Sequence, residues 1–183
     1  MELVQTTTRD GLRLDGLYQP GSSGEAFCLV HGTGSNFYSS GLLGAFADKL
    51  AAAGHTLLRI NTRGHDLMCS AATTRGGKRL GAAYEVVDDC RHDLAAWIDW
   101  LGQKGSPRVT LIGHSLGAVK CLYALAQDTA LEVRAVVAVS PPRLSYSWFC
   151  QRPEAATFLE TYQRAEALVQ GGEAGNLMEI TLP

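Results

Sequence analysis

Apolar and polar positions change period several times along the chain, and each change marks an element. Residues 4–8 and 12–18 are two β-prone runs joined across Arg9-Asp10-Gly11. An Asp-Gly step between such runs predicts a hairpin. Residues 26–30, Ala-Phe-Cys-Leu-Val, are apolar without alternation, as expected of a strand buried on both faces. Over 40–53 the residues Leu42, Leu43, Phe46, Ala47 and Leu50 recur at helical spacing, and Gly54 stops the run. Residues 56–60 predict a fourth strand and 61–77 a polar loop. A longer helix is predicted over 85–101, with Val86, Val87, Cys90, Leu94, Trp97, Ile98 and Leu101 on one stripe and Gly102 closing it. Residues 109–112 form another apolar run. The helical pattern behind it carries Leu116, Val119, Leu122, Tyr123, Leu125 and Ala126 as its apolar positions, and 135–139 is the last clear strand.

Strands that alternate with amphipathic helices imply an α/β fold, a mostly parallel sheet with helices on both faces. This core is expected over residues 1–142. After Pro142 the pattern changes: Tyr146, Trp148 and Phe149 crowd a segment with no strand period. A helix is then predicted over 153–170, with Phe158, Leu159, Tyr162, Ala165, Leu168 and Val169 on its stripe. Residues 180–183 read as the start of another extended segment. The stretch 143–183 is thus expected to be a separate cap or lid segment.

With 183 residues the chain is long enough for one well-buried core. A net charge of −2 and no block of like charges give no electrostatic reason to expect nucleic acid or an anionic membrane as partner. No apolar stretch approaches the ~18 residues of a membrane-spanning helix, and the first residues lack the pattern of a signal peptide. The five cysteines, Cys28, Cys69, Cys90, Cys121 and Cys150, form no C-x-x-C pair, so neither zinc binding nor thiol redox chemistry is expected. Cys28, Cys90 and Cys121 read as small buried hydrophobes. Reduced thiols fit a cytoplasmic location.

Chemistry concentrates at Gly113-His114-Ser115-Leu116-Gly117, which stands between the strand 109–112 and a helix. A strand, a G-x-S-x-G turn and a helix in that order form a nucleophile elbow, which lifts the serine hydroxyl above the sheet. The bland reading is a glycine-bounded loop between strand and helix. Gly32-Thr33-Gly34 begins like a dinucleotide fingerprint, but Phe37 stands where the third glycine belongs. Nothing in the chain asks for a cofactor or a metal.

Three motifs together, His31-Gly32-Thr33-Gly34, Asn61-Thr62-Arg63-Gly64-His65 and Gly113–Gly117, resemble the α/β-hydrolase superfamily in their order and separation. The resemblance is to its serine esterase, lipase and peptidase-like members and extends to about Pro142. It covers the N-terminal two-thirds of such a fold, truncated before the last strands. It implies Ser115 as nucleophile and the backbone N–H groups of Thr33 and Leu116 as oxyanion-hole donors. Gly32, Gly34, His114, Tyr146 and Trp148 become candidate substrate contacts.

The superfamily's triad runs Ser, acid, His, yet no histidine follows Ser115. His31 is expected to hold the loop that it precedes. His55 opens a strand at the opposite end of the sheet, and His92 reads as a solvated helix residue. Only His65 leaves the active-site end of the sheet. The function expected is a serine hydrolase for a small carboxylic ester or related acyl substrate, with triad acid and base absent from this chain and the chain therefore a fragment or inactive as given. The alternative is a non-catalytic binding or interaction protein that keeps the fold. Arg63, Arg75 and Lys78 offer charge for an anionic substrate group, or ordinary solvated positions. The strand 135–139 would present an unpaired apolar edge, which invites self-association.

Overall fold

The parallel sheet grows around β3 (Ala26–Val30), whose every residue is buried or nearly so. In the computed structural model, which describes residues 1–106 and 108–180, β3 pairs in parallel with β4 (Thr56–Ile60) on one side and β7 (Val109–His114) on the other. β7 in turn pairs in parallel with β8 (Val133–Val139). The hairpin foreseen around Asp10-Gly11 is formed by β1 (Glu2–Thr7) and β2 (Arg13–Gln19), and β2 joins β4 antiparallel. The six strands run in the order β1-β2-β4-β3-β7-β8. The architecture is α/β, with a mixed, mostly parallel sheet.

Alternation along the central strands divides the core between two faces. Cys28, Val30, Leu58, Ile60, Val109 and Leu111 point to one side, where α2 (Cys90–Gln103) contributes Leu94, Trp97, Ile98 and Leu101. The elbow helix α3 (Leu116–Gln127) adds Cys121 and Ala124 to the same side. Leu29, Leu57 and Ile112 point the other way and meet Leu43 and Ala47 of α1 (Gly41–Ala52). Each fully buried Leu or Ile contributes about 1.5–3 kcal/mol, so helices on both faces are a consequence of strands that are apolar on both.

Two local expectations need correction. Residues 61–77 are not a plain loop: β5 (Cys69–Thr73) and β6 (Gly76–Leu80) form a small antiparallel hairpin. Its residues are mostly exposed, and small or charged apart from Leu80, so no run of large apolar side chains marks it. The helix expected from residue 85 starts at Cys90, because Glu85 and Val86 are extended and a 3₁₀ turn covers Val87–Asp89. Gly102 lies inside that helix, which ends only at Gln103. On α3 the buried face is Leu116, Gly117, Ala118, Lys120, Cys121 and Ala124, while Leu122 is exposed. Small side chains let this helix lie close to the sheet, and closeness rather than bulk decides which face is inside.

The chain divides into two compact units, Met1–Pro141 and Pro142–Pro183. The second contains α4 (Tyr146–Phe149) and α5 (Ala155–Gln170). Phe149 stacks on Phe158 at 4.9 Å between centroids, and Tyr146 meets Tyr162 edge-on at 5.0 Å. No described residue of this unit is buried. Of the extended segment expected at 180–183, residues 181–183 lie outside the described residues. β8 ends the sheet; only β7 pairs with it among the described residues, and Val137 on it is exposed.

Arg63 was a candidate for an anionic substrate group. It is instead buried, and its charge is committed. Its backbone N–H donates to Asp93 Oδ2 at 2.8 Å, and Nη2 donates to Asp93 Oδ1 at 2.8 Å. Nη1 reaches Asp10 at 3.0 Å and Asp89 at 2.9 Å. Burial raises the Asp10 carboxyl, but bonds from Arg63 and Thr8 outweigh it and bring it down to about 2. One guanidinium thus fastens the β1–β2 turn, the turn before α2 and α2 itself. Arg63→Met leaves Asp93 buried without its cation, and the expected loss is about 3–5 kcal/mol in urea unfolding. A loss under about 1 kcal/mol, the value of a surface pair, contradicts this role.

Candidate active site

Ser115 sits at φ 54° and ψ −126°, between the end of β7 and the first turn of α3. A positive φ is uncommon for a residue with a side chain and costs on the order of 1–3 kcal/mol. The surroundings leave it no alternative. A Cβ on Gly113 would lie 2.5 Å from the Gly117 carbonyl oxygen and 2.6 Å from Ala118 Cα. A Cβ on Gly117 would collide with the carbonyl oxygens of Val30 and His31 at the end of β3. Both glycines are therefore demanded by close approach of helix to strands. Ser115 N–H donates to Val139 O at 2.9 Å, and Ala118 N–H to Ser115 O at 3.0 Å, so both sides of the turn are tied.

The loop after β3 comes against this turn. A Cβ built on Gly32 would stand 3.0 Å from Ser115 Cβ and 3.4 Å from Ser115 Oγ. Thr33 is exposed, and Gly34, at φ 61°, is half-buried. The backbone N–H groups of Thr33 and Leu116 donate to no protein acceptor among the described residues. Leu116 opens α3, where amides lack intrahelical partners and the helix dipole favours negative charge. His114 is half-buried and Ser115 likewise. Tyr146 and Trp148 belong to the second unit. Tyr146 is exposed there, and the Arg152 guanidinium lies 4.7 Å from the Trp148 ring centroid.

His31 holds the loop in place. Its Nδ1–H donates to Gly32 O at 2.8 Å, and Nε2 accepts from Thr62 N–H at 3.1 Å, so the ring is neutral with its hydrogen on Nδ1. Burial lowers its pKa to about 4. Behind it stands a pair that the sequence did not disclose. Lys120 of α3, with no exposed surface, donates to Thr62 Oγ1 at 3.1 Å and pairs with Glu85 at 2.5 Å. A lysine among apolar helix positions at 117–121 was the available signal.

No histidine nitrogen is hydrogen-bonded to Ser115 Oγ among the described residues. Both ring nitrogens of His31 are engaged as above. His55 Nδ1 faces Ser23 and Glu25, and His65 faces Asp66 and Cys69.

A histidine kept neutral by burial makes stability depend on pH. The unfolded imidazole binds a proton near pH 6.5 and the folded one near 4, so the unfolded state gains protons first as pH falls. The His31 contribution is fully present above about 6.5 and is lost between about 6.5 and 4, amounting to about 3 kcal/mol. Urea-unfolding free energies at pH 7 and pH 4, compared between the native chain and His31→Asn, should show that difference in the native chain alone. Parallel pH profiles for the two proteins contradict it.

Several solved structures share this fold. An esterase from Pyrococcus furiosus, Pf2001, is 23% identical with a TM-score of 0.64, over 98% of this chain and 63% of its own. The α/β hydrolase GrgF from Penicillium is 23% identical, TM-score 0.66, over 96% of this chain and 60% of its own. Est1E from Butyrivibrio proteoclasticus, solved with ferulic acid bound, is 18% identical, TM-score 0.59, over 75% of this chain and 53% of its own. This chain therefore spans less than two thirds of the length of these structures. No curated protein sequence matches it significantly. Residues 29–178 match the model of the alpha/beta hydrolase family, which takes in the end of β3, the loop after it, the elbow and both helices of the second unit. The chain belongs to the alpha/beta hydrolase family.

Proposed function

We propose that Ser115 is the nucleophile of a serine hydrolase that cleaves small carboxylic esters through an acyl-enzyme. The observation that carries this reading is the Ser115 backbone at φ 54°, with the Gly32 backbone packed on its side chain and an unpaired amide following it. In this reading Oγ attacks the ester carbon and the carbonyl oxygen takes the electron pair. The N–H groups of Thr33 and Leu116 receive that charge. Collapse of the intermediate expels the alcohol, and water then releases the acid. Donors of this kind are worth about 2.7–4 kcal/mol each because they act only on charge formed in the transition state. Gly32 and Gly34 bring the backbone to the oxygen. His114 and, on their chemistry alone, Tyr146 and Trp148 are the proposed substrate contacts, with segment 143–183 proposed as a cap.

The proton of Ser115 needs an acceptor, and none is bonded to it among the described residues. We infer that the acid and the histidine of the triad are supplied from outside these 183 residues. The chain's span of under two thirds of its structural relatives supports this. A triad without its base loses on the order of 10⁶ in turnover, while binding and oxyanion donors retain ~10³–10⁴ over water. The second reading, a binding protein that keeps the fold without catalysis, draws on the same missing base.

A fluorophosphonate tests the nucleophile. In the whole protein it is expected to attach to Ser115 and to no residue in Ser115→Ala, read by peptide mass spectrometry. Absence of the adduct on Ser115 favours the binding protein. The 183-residue chain by itself is expected to hydrolyse p-nitrophenyl acetate only within the weak range above. Rapid, Ser115-dependent turnover by that chain overturns the external base.

A further inference from the structure

Between β4 and β5 three side chains that the proposed ester chemistry does not use form a line. Cys69 Sγ lies 3.3 Å from His65 Nε2, and His65 Nδ1 lies 3.0 Å from Asp66 Oδ2. The carboxylate is held from its other side by Asn36 Nδ2 at 2.6 Å and by the Tyr38 hydroxyl. Burial raises the Asp66 carboxyl, but the bonds from Tyr38, Asn36 and His65 outweigh it and hold the group below its ordinary value. A carboxylate only accepts, so Nδ1 carries the imidazole hydrogen and Nε2 presents its lone pair to the thiol. The competing acceptor for the S–H, the His65 carbonyl oxygen, is farther away at 3.5 Å.

The loop that carries the line is fixed by backbone bonds. Asp66, at φ 57°, donates its N–H to Ser35 O at 3.0 Å and accepts from Ala82 N–H at 2.9 Å. Among the described residues no group of three His, Cys, Asp or Glu side chains has the arrangement of a metal site. Cys69 also differs from its counterparts. Cys28, Cys90 and Cys121 are fully buried, whereas Cys69 is half-exposed.

We propose that Cys69 is a base-assisted nucleophile that adds to electron-poor alkenes of the α,β-unsaturated carbonyl class, with His65 as the proton acceptor and Asp66 orienting it. Sulfur forms a bond to the β-carbon while the alkene π pair moves onto the α-carbon and its carbonyl. The thiol proton passes to His65 Nε2 and from there to the α-carbon. The product is a thioether; nothing is oxidised and no group leaves. Burial and the Asp66 charge raise the Cys69 thiol above its ordinary value, so the resting form is S–H and the proton must depart as sulfur attacks. An adjacent base answers that requirement, as it does for serine nucleophiles.

Cys150 provides the comparison. It is half-exposed like Cys69, but no imidazole nitrogen is bonded to its sulfur among the described residues. The folded chain is treated with limiting N-ethylmaleimide at neutral pH, and each cysteine peptide is quantified by mass spectrometry over time. Cys69 is expected to react at least about 100-fold faster than Cys150, the lower end of what a positioned base supplies. In His65→Ala it should fall to the rate of Cys150 and recover in part on addition of free imidazole. Asp66→Asn should also slow Cys69, with Cys28, Cys90 and Cys121 remaining unlabelled as the measure of an intact fold. Equal rates for Cys69 and Cys150 in the native chain overturn the proposal whether or not the variants fold. So does an undiminished Cys69 rate in a folded His65→Ala. The readout is on sulfur, so its outcome is separate from that of the phosphonate on Ser115.

Discussion

Helix α3 lies against the ends of β3 and β7 with no side chain between them at Gly113 and Gly117, and the rest of the site follows from that contact. A helix so close to the strand ends cannot be entered through an ordinary extended-to-helical transition. The chain turns at Ser115 with φ 54° instead, and the hydroxyl is left at the lip of the sheet. The same contact presses Ala118, Lys120, Cys121 and Ala124 inward. Strain of about 1–3 kcal/mol at one residue is offset by the burial of that whole face, so the turn is stable although its central residue is not in a preferred conformation.

Once α3 is close, a lysine on its inner face must find partners, and the partners it finds organise the neighbouring loops. Lys120 takes Glu85 and Thr62; Thr62 N–H meets His31, and His31 holds the Gly32 carbonyl. A Cβ on Gly64 would strike Glu85, so that carboxylate is confined from the other side too. Buried ion pairs of this kind add little net stability compared with apolar side chains of the same volume. What they add here is position. Arg63 joins three segments distant in sequence, and Lys120 joins the elbow to the segment before α2 and to the loop after β4. The β1–β2 turn and the loops after β3 and β4 are each tied to a buried cation or to His31.

Period and punctuation made the strands, the helices and the elbow legible, because their apolar residues answer to burial on one face or two. Ala26–Val30 and Thr56–Ile60 could be read from their unbroken apolar runs. The β5–β6 hairpin could not, since Cys69–Thr73 and Gly76–Leu80 are mostly exposed and meet the core only through Leu80, Cys69 and Ala71, too few and too small to set a period. Helix α2 was read one turn too early because Val86 and Val87 continue its apolar period. Glu85 instead reaches Lys120, and Asp89 reaches Arg63, which holds the segment before Cys90 away from a regular helix. On α3 the apolar period alone does not single out the buried face, because a close contact selects glycine, alanine and cysteine and leaves Leu122 exposed. Charges that sit inside, Arg63 and Lys120, are invisible to a reading that places cations in solvent, and only their partners far along the chain make sense of them.

The elbow separates two tasks that a serine hydrolase must combine. Charge stabilisation needs fixed N–H donors near the oxygen that becomes negative, and in the proposed reading those are backbone amides at the opening of α3 and in the loop that His31 anchors. Proton transfer needs a titratable nitrogen within hydrogen-bond reach of Oγ. His31 cannot serve, since freeing either nitrogen would release the Gly32 carbonyl or the Thr62 amide on which the loop rests. His65 is oriented by Asp66 toward Cys69, and its lone pair is directed at sulfur. His114 stands next to Ser115 in the chain, yet neither of its ring nitrogens is bonded to Oγ among the described residues. In the proposed reading the donors are organised by the fold of Met1–Pro141 while the base is not, because the histidine that positions the loop, His31, has both ring nitrogens already bound.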